Sequence, residues 1–473
     1  MHSLELVPDR SPPPGARSSR WMWRVTIGLL LAIILLPAVG VGYYAFLIQR
    51  RIRIIERLEE GPYFVVHNRS DRNGQPWVLP RIWEISLTTP FADRTELMIE
   101  DVVQCPELVR LSWSGGSIGD DDVRMLRRLR NLKSLELEAT DISDDALEVI
   151  GQLPALRKLD LSATRVTDRA VDALAAMPML QRVRLQHSRI SQAAADKLRQ
   201  SRPELEVVHV PAQGAQQVEA VREIIKRGGL VSERKDNPAV AALMLEFRSQ
   251  FADWNGMDWS LLKHIPSVEF VRLSGFERPD EIVASLADLS GVRTLVLVGC
   301  PVDLSLMKRI VASPKLEALV LDGCDLMPAQ LELLAGLEQL QDLRLGDNVI
   351  DAAGMSAIVS LPKLTKVNFR DCKFTDGLFE AVALPQHWES LEIYLGNLTD
   401  RDVEQIVRCQ GLNRLSLISH PEMTEISIDR ALTLPRLEQA NIRGDRIPYA
   451  AEDRLQAALQ KRRAAQSGLP AGK

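Results

Sequence analysis

The chain has 473 residues, 46% of them apolar and 5% aromatic: enough for a large core, too few rings for a base-stacking platform. Lys and Arg number 58 against 63 Asp and Glu, a net charge of −5, which removes the basic field that non-specific nucleic-acid binding relies on. The five cysteines stand singly from Cys105 to Cys409 with no C-x-x-C, which excludes a disulfide scaffold and leaves neither a zinc pattern nor a redox pair.

Residues 1–24 read as a polar tail. From Val25 to Ile48 the chain runs VTIGLLLAIILLPAVGVGYYAFLI, twenty-four residues without a charge, and a helix of that length crosses a hydrocarbon core of about 30 Å. The expectation is one N-terminal transmembrane helix, with Trp21, Trp23, Tyr43 and Tyr44 at its interfaces and Pro37 bending it without ending it. A cleaved signal peptide would carry an apolar region of about 7–15 residues, so the longer stretch reads as an uncleaved anchor. Arg10, Arg17, Arg20 and Arg24 precede the span and Arg50, Arg51, Arg53 and Arg57 follow it, an even positive-inside count. The short basic tail tips the balance toward a soluble part on the extracytoplasmic side.

Beyond the span the sequence repeats itself. The pattern L-x-x-L-x-L aligns Leu108/Leu111/Trp113, Leu132/Leu135/Leu137, Leu156/Leu159/Leu161, Leu180/Val183/Leu185 and Leu205/Val208/Val210, with starts 24, 24, 24 and 25 residues apart. A second series begins at Val268, Val292, Leu316, Leu340, Leu364, Trp388, Leu412 and Leu437, spaced by 24 six times and then by 25. First members are expected at Ile82/Ile85/Leu87 and Val240/Leu243/Leu245. Within each unit a period-two run gives way to helical spacing, as in Leu147/Ile150, Val171/Leu174 and Met355/Ile358. Helix-capping types stand between them: Ser143, Thr167, Ser191, Asp303, Asp351, Thr375 and Thr399. One strand–turn–helix unit cannot bury both its faces, but a stack of them can, so the fold class is an α/β solenoid with a parallel inner sheet and outer helices.

Units such as LRKLDLSATRV, LEALVLDGCDL and LQDLRLGDNVI resemble the leucine-rich repeat, and the match extends over most of residues 82–447. The TDISD and TRVTD variant is similar to short bacterial repeats and to the cysteine-containing repeats of F-box proteins, although no F-box is evident here. The resemblance implies a curved horseshoe used for protein recognition, without intrinsic catalysis or a cofactor. VREIIKRGGLVSERKDNPAVAALML, before the second series, parallels IIERLEEGPYFVVHNRSD before the first, and both read as a starting cap. The expected organisation is a first module over 49–211, a second over 212–448 and a closing helix with a tail over 449–473.

Gly115-Gly116-Ser117-Ile118-Gly119 fits the G-x-S-x-G nucleophile elbow, yet Ile118 falls in the core column of Ile142 and Val166, so the repeat already accounts for it. A hydrolase built on Ser117 is therefore the minor alternative. Cys300, Cys324 and Cys372 occupy the turn column as structural residues, and the seven histidines show no metal-ligand spacing. No metal and no nucleic-acid partner is expected. Residues between the Leu columns face the hollow. In the second series Phe270, Val296, Val298, Ala318 and Val320 form an apolar patch, followed by a basic stripe of Arg344, Lys366, Arg370 and Arg414 with Asn368 and Tyr394. Apolar area beside Arg and aromatic anchors suits an acidic or amphipathic protein segment. The alternative is a self-associating envelope scaffold without a dedicated ligand.

Overall fold

A computed structural model describes Gln49 and residues 64–69, 81–88, 95–115, 118–212, 214–233, 243–248, 254, 256–265, 268–286 and 289–467. The expected span Val25–Ile48 lies outside these residues, and among the described residues no helix is long and apolar enough to cross a membrane.

Two sheets account for nearly all strands. The first contains β1 (Phe64–Arg69), β2 (Arg81–Thr88), β3 (Arg110–Ser114), β4 (Ser134–Glu136), β5 (Lys158–Asp160), β6 (Arg182–Arg184) and β7 (Glu206–Val208), in that spatial order. The second begins with β8 (Leu230–Glu233), β9 (Leu243–Arg248), β10 (Val268–Ser274), β11 (Thr294–Val298), β12 (Ala318–Asp322) and β13 (Asp342–Gly346). It continues past the small pair β14 (Val349–Ile350) and β16 (Lys373–Phe374) through β15 (Lys366–Arg370), β17 (Ser390–Tyr394), β18 (Arg414–Ile418) and β19 (Gln439–Arg443). Each sheet opens with an antiparallel pair, β1 on β2 and β8 on β9, and is parallel thereafter. A hairpin at the start leaves the first parallel strand no open edge, which is the work of a cap.

The Leu columns stack in register: Leu111, Leu135, Leu159 and Val183 pair across β3–β6, and Val271, Leu295, Leu319, Leu343, Val367, Leu391 and Leu415 across β10–β18. All are buried. Three expectations need correction. Val183 pairs with Val207, not Val208, so the last unit of the first array keeps the 24-residue step. In the second array Leu245 and Phe247 pair with Val271 and Leu273, a shift of two residues that keeps the same face inward. Three capping positions do not cap: left-handed Gly377 rather than Thr375 precedes Leu378–Ala381, Asp145 rather than Ser143 precedes Ala146–Ile150, and Arg169 rather than Thr167 precedes Ala170–Ala175.

One turn recurs in eleven units. The second residue after the last Leu column is left-handed in each of them: Gly115, Ala139, Ala163, His187, Gly275, Gly299, Gly323, Asp347, Asp371, Leu395 and Ser419, whereas Gly444 of the last unit is not. For a residue with a Cβ that conformation costs about 1–2 kcal/mol. Its stabilisation is periodic too, because each of these N–H groups donates to the carbonyl of the next rung, for example Ala139 to Ser162 at 2.9 Å and Asp347 to Arg370 at 2.8 Å. The following column satisfies the strand-end carbonyls from within. Thr140, Thr164 and Ser188 donate to Leu137, Leu161 and Leu185 at 2.7 Å, while Cys324, Asn348, Cys372 and His420 reach the carbonyl of the preceding rung at 3.0–3.4 Å.

The S/T-D motif has a separate purpose. Asp120 accepts from the backbone and hydroxyl of Ser143 at 2.7 and 2.6 Å, Asp144 from Thr167 at 2.8 and 2.6 Å, and Asp168 from Ser191 at 2.7 and 2.8 Å. Asp400 repeats this with Thr424 in the second array. Each carboxylate thus ties one repeat to the next. Ser191, Asp303, Asp351 and Thr399 also cap their helices, accepting from the third residue on.

Two cores result. The core of the second module also takes in Ala139 and Ala163 from turns of the first, against the Ala215–Lys226 helix. Arg222 of that helix, only 4% exposed, pairs with Asp141 of the first module and with Glu219 at 2.9 Å. Trp254 and Trp259, from the segment that breaks the period, stack at 5.4 Å and meet Phe247 and Phe276 edge-on or tilted. The break therefore supplies an aromatic plug beside the second cap.

Candidate functional site

Strand alternation places three columns of the second sheet on the face opposite the Leu columns. Pairing aligns Phe270, Thr294, Ala318, Asp342, Lys366, Ser390 and Arg414 in the first; Arg272, Val296, Val320, Arg344, Asn368, Glu392 and Ser416 in the second. Ser274, Val298, Asp322, Gly346, Arg370, Tyr394 and Ile418 form the third. Val296, Val320 and Arg344 are thus direct neighbours, as are Arg370 and Tyr394, while Phe270 and Arg414 stand at opposite ends of their column.

The basic stripe is interleaved with acids. Arg344 lies 3.6 Å from Asp342, Arg370 lies 3.5 Å from Asp371, and Glu392 accepts from Asn368 at 2.7 Å and from the Tyr394 hydroxyl at 3.2 Å. Arg414 donates to Gln439 at 2.8 Å. These ion pairs are exposed and long, so each adds little stability and leaves its guanidinium available to a ligand. Burial, opposed by Arg344 and Arg370 and reinforced by Asp347, raises the carboxyl of Asp322 above its ordinary range. The face of β10–β12, apolar at Phe270, Val296, Val298, Ala318 and Val320 and carrying Arg272 and Asp322, therefore passes into a mixed, net basic patch on β13–β18.

A second charged group, on the first sheet, was not picked out from the sequence. Ser134, Glu136, Lys158, Asp160, Arg182 and Arg184 line a cleft of about 180 Å³. Half-buried Glu138 beside them is pushed up to about 7 by burial and by the charge of Asp160, with Arg184 opposing and Glu136 adding. Reading residues 136, 160 and 184 as one column at the 24-residue step is the signal that finds this group. His187, in the left-handed turn two rungs from Ala139, is pushed down to about 4 by burial and by His209.

These two groups have opposite linkage. Glu138 titrates higher in the folded chain, so its contribution is fully present below the ordinary carboxyl value near 4.5 and is lost as pH rises through about 7. His187 titrates lower, so its contribution is present above about 6.5 and is lost as pH falls through about 4. Asparagine tolerates the left-handed turn. His187→Asn is therefore expected to retain more stability than the parent on acidification from pH 6.5 toward 4, with the two converging above, read from thermal melts across that range. Parallel pH profiles would remove His187 as the acid-sensitive group.

Gly116 and Ser117 lie outside the described residues. Around them, Gly115 takes the same left-handed turn as Ala139 and Ala163, and Ile118 is buried like Ile142 and Val166, as the repeat register requires. All five cysteines are free and buried, and burial pushes Cys324 and Cys372 up to about 12 and Cys409 up to about 11, which keeps these thiols protonated at neutral pH. Among the described residues no three His, Cys, Asp or Glu side chains are grouped to hold a metal ion.

Residues 339–359, which form one strand, turn and helix of the second array, match the family model described as Leucine Rich repeat. Among solved structures an internalin (inlF) from Listeria monocytogenes str. 4b F2365 is similar at 16% identity, covering 76% of this chain and 86% of that one, with a TM-score of 0.29. TLR13, in a complex with ssRNA13, is similar at 17% identity over 76% of this chain and 54% of that one, with a TM-score of 0.32. An internalin C2 (inlC2) from the same Listeria strain is similar at 16% identity over 40% of this chain and 76% of that one, with a TM-score of 0.28. No curated protein matches the chain. The matched segment lies within one 24-residue unit of a series whose strands pair in register on both sides of it, so the chain is an α/β solenoid of repeats, one of which matches that model.

Proposed function

We propose that this chain is a single-pass, membrane-anchored recognition module whose second array grips a protein segment across its concave face, with the soluble part on the extracytoplasmic side. The observation that carries the binding site is the side-by-side placement of Val296, Val320 and Arg344, with Arg370 and Tyr394 on the next two strands. The partner that fits is an amphipathic segment with apolar side chains on β10–β12 and carboxylates on Arg344, Lys366, Arg370 and Arg414. Recognition, not chemistry, is what such a surface supplies. The anchor rests on the uncharged run Val25–Ile48 and the orientation on the short basic tail before it.

Arg344→Glu with Arg370→Glu is expected to leave the fold intact, since both side chains are more than half exposed, and to weaken partner capture from native membranes by about tenfold or more. Unchanged capture by the folded double variant would place the site elsewhere. Oligomers in detergent with no accompanying partner would favour the scaffold instead. Proximity labelling from the soluble part in intact cells reads the facing compartment directly.

A further inference from the structure

A different surface departs from the helix-capping column of the repeat with an exposed apolar side chain. At the position where Ser191, Asp303, Asp351 and Thr399 cap a helix through a side-chain oxygen, the β12 unit carries Met327. Its side chain caps nothing and is 65% exposed. Gln330 compensates in part, accepting from the Met327 backbone N–H and donating to the Val302 carbonyl at 2.5 Å. A methionine here forfeits a cap and places apolar surface in water, two costs that folding does not recover. Leu304 in the preceding unit is 45% exposed and Val349 in the following one is 53% exposed. Apolar side chains thus stand out from three consecutive units on the convex side of the strands: Leu304 opens a helix, Met327 precedes one and Val349 lies in β14.

Between the first two lies an open groove of about 500 Å³ whose apolar lining comes mainly from Pro301, Val302, Leu304, Met327 and Ala329. The acids Asp303 and Asp325 share its wall. Asp347 and Asp351 follow in the next unit, Asp347 exposed and Asp351 partly. Lys373, opposite Val349 on β16, marks the far end of this acidic run. A large apolar groove edged by carboxylates is complementary to an apolar side chain flanked by cations.

We propose that the Leu304–Met327–Val349 strip is a second docking surface, which takes a partner segment of alternating apolar and Lys or Arg residues. It is separate from the concave face, and its charge preference is the opposite one. Methionine suits such a groove because its unbranched thioether adapts to side chains of differing shape.

The test uses the full-length chain and two labelled synthetic peptides, one alternating leucine with lysine and one alternating leucine with glutamate, followed by fluorescence anisotropy. The lysine peptide is expected to bind through this strip, whereas the glutamate peptide, which suits the concave face, is expected to bind no differently in Met327→Ser. Met327→Ser, which restores the cap type of the neighbouring units, is expected to weaken binding of the lysine peptide by about tenfold while the melting temperature stays the same or rises. Leu304→Ser should also weaken it. No binding of the lysine peptide, unchanged affinity for it in Met327→Ser, or an equal loss of glutamate-peptide binding in that variant overturns the proposal. A fall in melting temperature in Met327→Ser does so too, because the side chain would then be serving the fold. Concentration-dependent self-association that Met327→Ser abolishes assigns the strip to a second copy of the chain and overturns the separate partner.

Discussion

Leu319→Ala is expected to lower the unfolding free energy by about 3 kcal/mol, within the range of about 2–5 kcal/mol for truncating a buried leucine. Leu319 is 0% exposed and lies in β12 between Leu295 and Leu343 on the adjoining strands. The loss has two parts: the transfer energy of the missing carbons, and a cavity that main chains pinned by ladder hydrogen bonds on both sides cannot close. Because each repeat contacts chiefly its neighbours, the damage should also be local. Amide exchange is expected to accelerate in β11, β12 and β13 well before β4 and β5, which belong to another core. Uniform acceleration over both sheets would mean that the arrays unfold as one unit and that nearest-neighbour coupling does not describe this solenoid.

The repeat itself was fully legible in the sequence, for a physical reason: each column is a single environment sampled about a dozen times, so an odd residue such as Trp113 or Trp388 does not hide the period. Where the period failed, so did register. Residues 240–247 lack the full pattern, and the pairing of Leu245 with Val271 is set by the hairpin with β8 and a bulge, which no column reports. The capping column misled at Thr375 because Gly377, two residues later, can take the left-handed conformation and start the helix there. The concave residues were found because alternation fixes which face they occupy. Their partners were not, since Asp342 with Arg344 and Asp371 with Arg370 depend on which rotamer a long side chain adopts. Met327 was visible as a break in the capping column, but its exposure and the groove beside it required the neighbouring turns to be in place.

What joins the modules is the least periodic feature and carries the other large expected effect. Asp141→Ala should cost about 2 kcal/mol, and Arg222→Met close to nothing, although each removes one end of the same ion pair. The guanidinium of Arg222 is 5% exposed, whereas the carboxylate of Asp141 is 25% exposed and has Arg165 at 3.5 Å as a second partner. Burial lowers the pKa of Arg222, with Glu219 and Asp141 opposing the shift, so the charge is held at a desolvation cost that these carboxylates offset. Removing Asp141 leaves a buried cation with Glu219 alone, and Glu219 is already shared with Arg189 at 2.6 Å. Breaking a buried pair this way costs about 3–5 kcal/mol when no partner remains, and the retained Glu219 reduces that. Removing Arg222 instead leaves Asp141 with Arg165, Glu219 with Arg189, and an apolar side chain against the turns at Ala139 and Ala163. Combining Asp141→Ala with Arg222→Met should therefore recover most of the stability lost by Asp141→Ala alone, a coupling measurable by urea denaturation. Trp113 reports on the first core, and Trp254, Trp259 and Trp388 on the second, so Asp141→Ala should also separate one fluorescence transition into two. If Arg222→Met proves as costly as Asp141→Ala, the pair contributes net attraction across the junction rather than neutralising a charge that the packing of the Ala215–Lys226 helix has buried.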